Sequence, residues 1–456
     1  MKERDGGAMD LTCGSPIWKI LVFSIPLVLG TLFQQLYSFA DTVMVGRLIG
    51  SNALAAVGSS YSLQFLTLGF VQGSCVGFGI LLAQAVGAKN SDEFKQYFWN
   101  GTWICVAMGA VLTAVMVVLT EPMLRLIHTP QEIFADAAAY SRVIFLGIPA
   151  TILYNFCAGA LRAAGDSQRP FYFLLFSSLL NIVLDWVLIV PIPLGVSGAA
   201  IATVFSQLVS GALNLWWMVR KTTLLNRSKG FRGLRKTHAL ALCRVGFPMG
   251  FEYSVSAIGA VVMQGAINEL GTAAVAGQTA GEKIRQMFTL PMESVGMGMA
   301  TYTGQNDGAN RPDRIKSGIG AGIVIQLVYC VFAWIAIFFG KGFFTRIVLG
   351  ADAGETAAYS VQYLAIISTL FLIHGTLMIM RNTLQGMGYS FHAVLSGVGE
   401  LIGRTLGGYL AVSSLGFVGI CFANPLAWGF ALLYCTVMTV HFLKKRLTWE
   451  TSHTAS

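Results

Sequence analysis

The sequence predicts an all-α polytopic membrane protein, with twelve transmembrane helices in two pseudosymmetric six-helix lobes around a central cavity. Three observations carry this. Of 456 residues, 55% are hydrophobic and only 11% charged, where a soluble domain carries roughly 25% charged residues. The apolar residues fall into twelve runs, most of about the 20 residues a helix needs to cross a bilayer. The second half of the chain repeats motifs of the first, in the same order.

The elements follow in order. Residues 1–16 are polar and form a cytoplasmic N-terminal segment. The first apolar run, 17–40, is longer than the core of a signal peptide and is expected to stay as the first span. Runs at 53–82, 97–119, 136–160, 170–191 and 196–219 complete a first lobe over 17–219. A basic linker, 220–245, carries Arg220, Lys221, Arg227, Lys229, Arg232, Arg235, Lys236 and Arg244. The second lobe, 246–441, has runs at 246–268, 274–303, 317–340, 358–384, 392–412 and 416–441, and a tail, 442–456, follows.

Four pairs of segments carry the repeat. GSNALAAVG from Gly50 parallels GTAAVAGQ from Gly271, and VGFGILLAQAVGAKN from Val76 parallels VGMGMATYTGQNDGANR from Val295. LRAAGDS from Leu161 parallels LQGMGYS from Leu384, and LGVSGAAIA from Leu194 parallels LGFVGICFA from Leu415. Six spans per lobe give both lobes the same orientation, so the repeat axis runs along the membrane normal. That is the plan of two-lobed transporters that bind substrate between lobes.

Lys and Arg concentrate on one side of the spans, in the N-terminal segment, the linker, Arg311–Lys316 and Lys444–Arg446. The opposite side holds Arg47, Arg125, Arg142, Lys341 and Arg346. By the positive-inside rule, both termini and the linker are cytoplasmic. The same loops account for the formal charge of +9, and no nucleic-acid partner is expected.

Several classes are excluded. No nucleotide-binding loop appears, and Gly318, Gly320 and Gly322 open a span with no strand before them. The eight cysteines are scattered, without a CxxC, and read as small apolar residues. His374 reads as a packed helix residue. There is no HExxH and no GxSxG, so no enzyme and no cofactor are expected. Gly69, Gly73 and Gly77 recur every four residues, a spacing that lets helices approach closely.

Chemistry centres on the run from Phe171 to Pro191. Asp185 lies in its middle, with Asn181 four residues earlier on the same helix face. An acid at membrane depth is costly and marks a functional site by default. Asp41 lies near the end of the first span, Asn155 in the fourth and Thr203 in the sixth. Converging oxygens of this kind suit a proton or a small hard cation such as Na+, and the two aspartates could share and release a proton as a pair. The second half has Met263 opposite Asp41 and Gly407 and Gly408 opposite Asp185. It carries instead Glu252, Glu282, Lys283, Arg285, Glu400 and Arg404, from which Glu400–Arg404 and Glu252–Lys283 pairs are expected. Glu252 is kept as a second ion or substrate group.

IPLVLGTLFQQLYSFADTVMVGRLIG, ALRAAGDSQRP, NIVLDWVLI with LGVSGAAIAT, and TLQGMGYS with GICFANPLAW resemble the multidrug and toxic compound extrusion (MATE) family. Within it they are similar to DinF-like and MepA-like bacterial members, over nearly the whole chain. The resemblance implies alternating access and export of amphipathic, mostly cationic organic compounds in exchange for H+ or Na+. It places a cation-coupling site at Asp41, Asn181, Asp185 and Thr203, and cavity residues at Gln34, Tyr37 and Asn155. Glu252 matches a seventh-helix glutamate of some members approximately, while the tenth span has no acid. The expected setting is the bacterial cytoplasmic membrane, with lipid around a monomer. The rival readings are a lipid-linked oligosaccharide or lipid flippase of the same broad superfamily and an exporter of an endogenous metabolite.

Overall fold

The computed structural model describes residues 8–226, 233–350 and 354–454. Of the charges used above, Lys2, Arg4, Arg227, Lys229 and Arg232 lie outside the described residues, as does the end of the tail. Every apolar run is helical. The chain runs in order through α1 (Pro16–Met44), α2 (Ser51–Gly87), α3 (Ser91–Leu126), α4 (Gln131–Leu146), α5 (Ile148–Ala163), α6 (Gln168–Ile189), α7 (Val196–Lys221) and the short α8 (Thr223–Asn226). The chain continues through α9 (Lys236–Asn268), α10 (Thr272–Gly308), α11 (Pro312–Leu349), α12 (Gly354–Thr369), α13 (Phe371–Gly386), α14 (Ser390–Leu410) and α15 (Phe417–Thr454). No strand occurs among the described residues.

The fourth and tenth spans are each two helices. α4 and α5 meet at Gly147 with a bend of 44°, and α12 and α13 meet at Leu370 with a bend of 52°. Pro149 in the first turn of α5 lacks an N–H and cannot continue the ladder from α4. Among the described residues, seven helices are long and apolar enough to cross a membrane, and nine when each bent pair counts as one span. α10 and α14 carry charges within their length, and of these Glu282 pairs with Arg285 and Glu400 with Arg404. Val118, Leu126, Val328 and Phe339 are exposed on helix exteriors, which suits contact with lipid tails.

Two compact units result. The first holds the residues up to Asp10 and Leu29–Gly250, and the second holds Leu11–Val28 and Phe251 onward. α1 and α9 each change unit part-way along. The change falls two residues past Pro26 in α1 and two residues past Pro248 in α9. Phe78, Phe98, Phe145 and Phe156 anchor the core of the first unit. Tyr363, Phe371 and Trp428 anchor that of the second.

The sequence repeat is a repeat of backbone geometry. Lys89 and Asn310 both take positive φ, 57° and 55°. The bonds around them also match: Ala88 N–H to Gln84 and Asn90 N–H to Ala85 in one turn, Ala309 N–H to Gln305 and Arg311 N–H to Asn306 in the other. Gly165 and Gly388 form a second such pair at φ 95° and 86°, a region that glycine enters without a Cβ penalty. The turn after Gly165 explains LRAAGDSQRP. Asp166 Oδ1 accepts the Arg169 N–H at 3.1 Å and so satisfies an orphan donor of α6. Helix approach repeats too. A Cβ on Gly77 would lie 2.5 Å from Gly246 Cα in the first unit, and one on Gly298 would strike Ser24 Oγ in the second.

Candidate functional site

In the first unit α6 packs along α7, and α5 packs against α7 and α2. On α6, Leu174, Ser177, Ser178 and Asn181 share one helix face, three or four residues from one turn to the next, and Asp185 lies a turn further on. On α7, Thr203, Ser206, Gln207 and Ser210 do the same. With Gln34 and Tyr37 of α1 and Tyr154 of α5 they line one cavity of about 20 Å³. That volume accommodates about one water or one small ion.

The acids adjoin this cavity. Asp185 is fully buried and Asn181 is 1% exposed. The Asp41 and Asp185 carboxyls come within hydrogen-bonding reach of each other. Tyr37 lies beside Gln34, and Tyr37 and Tyr140 of α4 are both within electrostatic range of the two acids. Yet both Oδ atoms of Asp185, Oδ1 of Asp41, both polar atoms of the Asn181 side chain and the hydroxyls of Ser206 and Ser210 are buried without a hydrogen-bond partner. Two ionised carboxylates are acceptors only and cannot satisfy each other. Folded proteins satisfy the large majority of buried polar atoms, and a cluster of exceptions needs a physical cause. A proton shared by the acids, or a small cation ligated by these oxygens, supplies what is missing. No group of three or more His, Cys, Asp or Glu able to hold a metal ion occurs among the described residues.

The structure thus brings together Gln34, Tyr37, Asn181 and Thr203 around one cavity, with Asp41 and Asp185 beside it. Asn155 is set apart. It is half-buried, donates from Nδ2 to the Thr151 carbonyl at 2.8 Å and does not line the cavity. Thr151 in turn donates to Gln207 Oε1 at 2.5 Å. Sequence reasoning missed Tyr140, Tyr154, Ser206, Gln207 and Ser210. The α7 residues carried a signal, a polar stripe at helical spacing through Thr203.

The second unit handles charge differently. The expected Glu252–Lys283 pair does not form, for Lys283 is exposed. Glu252 Oε1 pairs with Arg381 Nη1 at 3.1 Å, and its Oε2 accepts from Gln385 Nε2 at 2.9 Å. Arg381 also bonds Glu400 and donates from Nε to Ser396 Oγ at 3.1 Å. The Glu400–Arg404 pair forms as expected, at 3.1 Å. From Arg404 the network runs through Asn424 (3.3 Å) and the Tyr363 hydroxyl (3.2 Å) to Glu282 (2.6 Å) and Arg285. Three glutamates meet three arginines. Each oxygen of Glu252, Glu282 and Glu400 has a partner. His374 is buried against Trp428, ring centroids 4.7 Å apart. All eight cysteines are free thiols, six of them buried.

A multi-pass helical protein with an internal repeat and an unsatisfied acid pair inside one unit has the build of a membrane transporter. Comparison with known proteins gives the family. The MatE family model matches residues 26–187 and again 248–410, once in each half, and the chain belongs to this family of transporters, which are not enzymes. The probable multidrug resistance protein YoeA of Bacillus subtilis is 28% identical over 382 residues, covering 82% of each chain. A FAD transporter of Shewanella oneidensis is 24% identical, over 74% of this chain and 75% of its own. The fold matches a multidrug resistance MATE family transporter solved in an outward-facing conformation, with a TM-score of 0.91 and 21% identity, covering 97% of this chain and 99% of that one.

Proposed function

We propose that the protein is a secondary antiporter that exports amphipathic, mostly cationic organic compounds in exchange for H+ or Na+. The observation that carries the reading is the acid pair in which both oxygens of Asp185 and Oδ1 of Asp41 are buried without a donor. A cation bound at Asp41 and Asp185, with Asn181, Thr203 and Tyr37 around it, would neutralise two adjacent negative charges. Its release would leave the buried Asp185 and the half-buried Asp41 carboxylates repelling each other, so the first unit would favour different arrangements with and without the cation. Substrate is coupled to the ion if it prefers the cation-free arrangement, because coupling is a difference of affinities between two states. Gln34 and Tyr37 line the small cavity beside the acids and are assigned to the ion site. The multidrug names of relatives support the substrate class. The asymmetry of Lys and Arg supports placement in a bacterial cytoplasmic membrane with the linker and termini inside.

A second reading, export of an endogenous metabolite, is favoured by the similarity to the FAD transporter. Both readings are tested in proteoliposomes of the purified protein with imposed proton or Na+ gradients and a panel of cationic dyes and flavin nucleotides. Asp185→Asn is expected to insert and fold but to lose ion-driven transport. Ethidium export by this variant at the wild-type rate would sink the assignment of the ion site. Transport of flavin nucleotides without transport of dyes would select the metabolite reading.

A further inference from the structure

The two units have the same topology, but opposite solutions to buried acids. The turns at Gly165 and Gly388 align α6 with α14, which places Ser177 opposite Glu400 and Asn181 opposite Arg404. In the first unit this stretch lines the cavity beside the acid pair. In the second it is filled by side chains that satisfy one another. The residue at the centre is Arg381, with a side chain 9% exposed. It stands where the alignment puts Ala158 in the first unit. Its three nitrogens engage Ser396, Glu252 and Glu400.

We infer that Arg381 is a tethered counter-cation: it occupies, between Glu252 and Glu400, the place where the second unit would otherwise bind an exchangeable cation. The chemistry is specific. A guanidinium does not lose its proton in a protein, and its planar fork serves two carboxylates at once. The charge it supplies is permanent and covalently held, so it cannot be exchanged across a membrane. Gln385 holds the second oxygen of Glu252, and Arg404 holds that of Glu400. No carboxylate oxygen of the pair is left for an ion. With Arg381 replaced by an apolar residue, Glu252 and Glu400 become two buried acids near Ser396, Gln385 and the Cys435 thiol, with Arg404 neutralising one of them. The Glu252–Glu400 pair then resembles the acid pair of the first unit, with a net negative charge that one proton or one Na+ would cancel, beside the more exposed Glu293 carboxylate of α10.

The inference rests on the ion-site reading of the first unit only for contrast, and its experiment reads the second unit with the first one silenced. Bound cations per chain are counted on purified full-length protein, by equilibrium binding of radioactive Na+ and by proton uptake with a pH-indicator dye. The Asp41→Asn/Asp185→Asn variant is expected to bind none. Adding Arg381→Met is expected to restore about one cation per chain, and adding Glu252→Gln as well is expected to remove it. Two results overturn the inference. One is a monodisperse Arg381→Met variant in that background that gains no cation. The other is cation binding by the variant with Arg381 intact that disappears on Glu252→Gln. The second needs no folded Arg381 variant. Binding that persists in the double variant and is insensitive to Glu252 counts against the first-unit reading instead.

Discussion

Replacing Asp185 by Asn should make the protein more stable while stopping coupled transport. Asp185 places two buried carboxylate oxygens where nothing donates to them, next to the carboxylate of Asp41. An unsatisfied buried polar group costs about 1–3 kcal/mol, more for a charged one. Asparagine has nearly the same shape, removes one of the two like charges and brings an N–H₂ that can donate to Asp41. The gain expected in cation-free buffer at alkaline pH is therefore on the order of 1–3 kcal/mol. A body of 150–250 residues moves roughly 2–4 °C in Tm per kcal/mol, so a rise of several degrees should be visible. The assay is thermal unfolding of detergent-purified protein by intrinsic fluorescence. The difference should shrink when the coupling cation is supplied, because a ligand at 100 times its Kd stabilises the wild type by about 2.7 kcal/mol and has no site in the variant. Whichever of acid or Na+ closes the gap identifies the ion. An Asn variant that melts at or below the wild-type temperature without cation would refute the reasoning, since it would show Asp185 to be a satisfied structural acid.

Further expectations concern packing, pairing and topology. Gly77→Ala should destabilise strongly, because its Cβ would meet the α9 backbone at Gly246, whereas Gly58→Ala in the same helix has nothing within 4 Å and should gain up to about 1 kcal/mol; paired melting curves compare them. Glu282→Gln removes the carboxylate that Arg285 bonds and should cost about 1–3 kcal/mol, with no loss expected for Lys283→Gln as the exposed control. Burial holds the Asp166 carboxyl above its ordinary value. Its ionised form is thus disfavoured by the fold, and stability should fall as pH rises through the folded-state value. Asp166→Asn keeps an acceptor for Arg169 and should flatten that part of the pH–stability curve. A protease added to sealed vesicles should cut within 220–244 in inside-out vesicles and spare right-side-out ones; the reverse pattern would invert the topology.

The sequence by itself determined the membrane class, the helical spans and the duplication. Each of these is written in local pattern: apolar runs of spanning length, and turn motifs such as LRAAGDS and LQGMGYS that recur in order. It also picked out Asp41, Asn181 and Asp185, because an acid inside an apolar run stands out without any knowledge of its neighbours. The Glu400–Arg404 pair was legible for a similar reason, being one turn apart on one helix. Tertiary structure alone decided how charges choose partners between helices. Glu252 could reach Lys283 as far as sequence shows, but helix rotation turns Lys283 outward and presents Arg381 from α13 instead. Tyr140 comes within electrostatic range of the acids because α4 brings it there, and nothing in its own neighbourhood marks it. The break between α12 and α13 likewise has no proline to announce it. Periodicity fixes which residues share a helix face. Which faces meet depends on the rotation and packing of whole helices, and that packing leaves one acid pair unsatisfied in the first unit and locks the acids of the second around a fixed arginine.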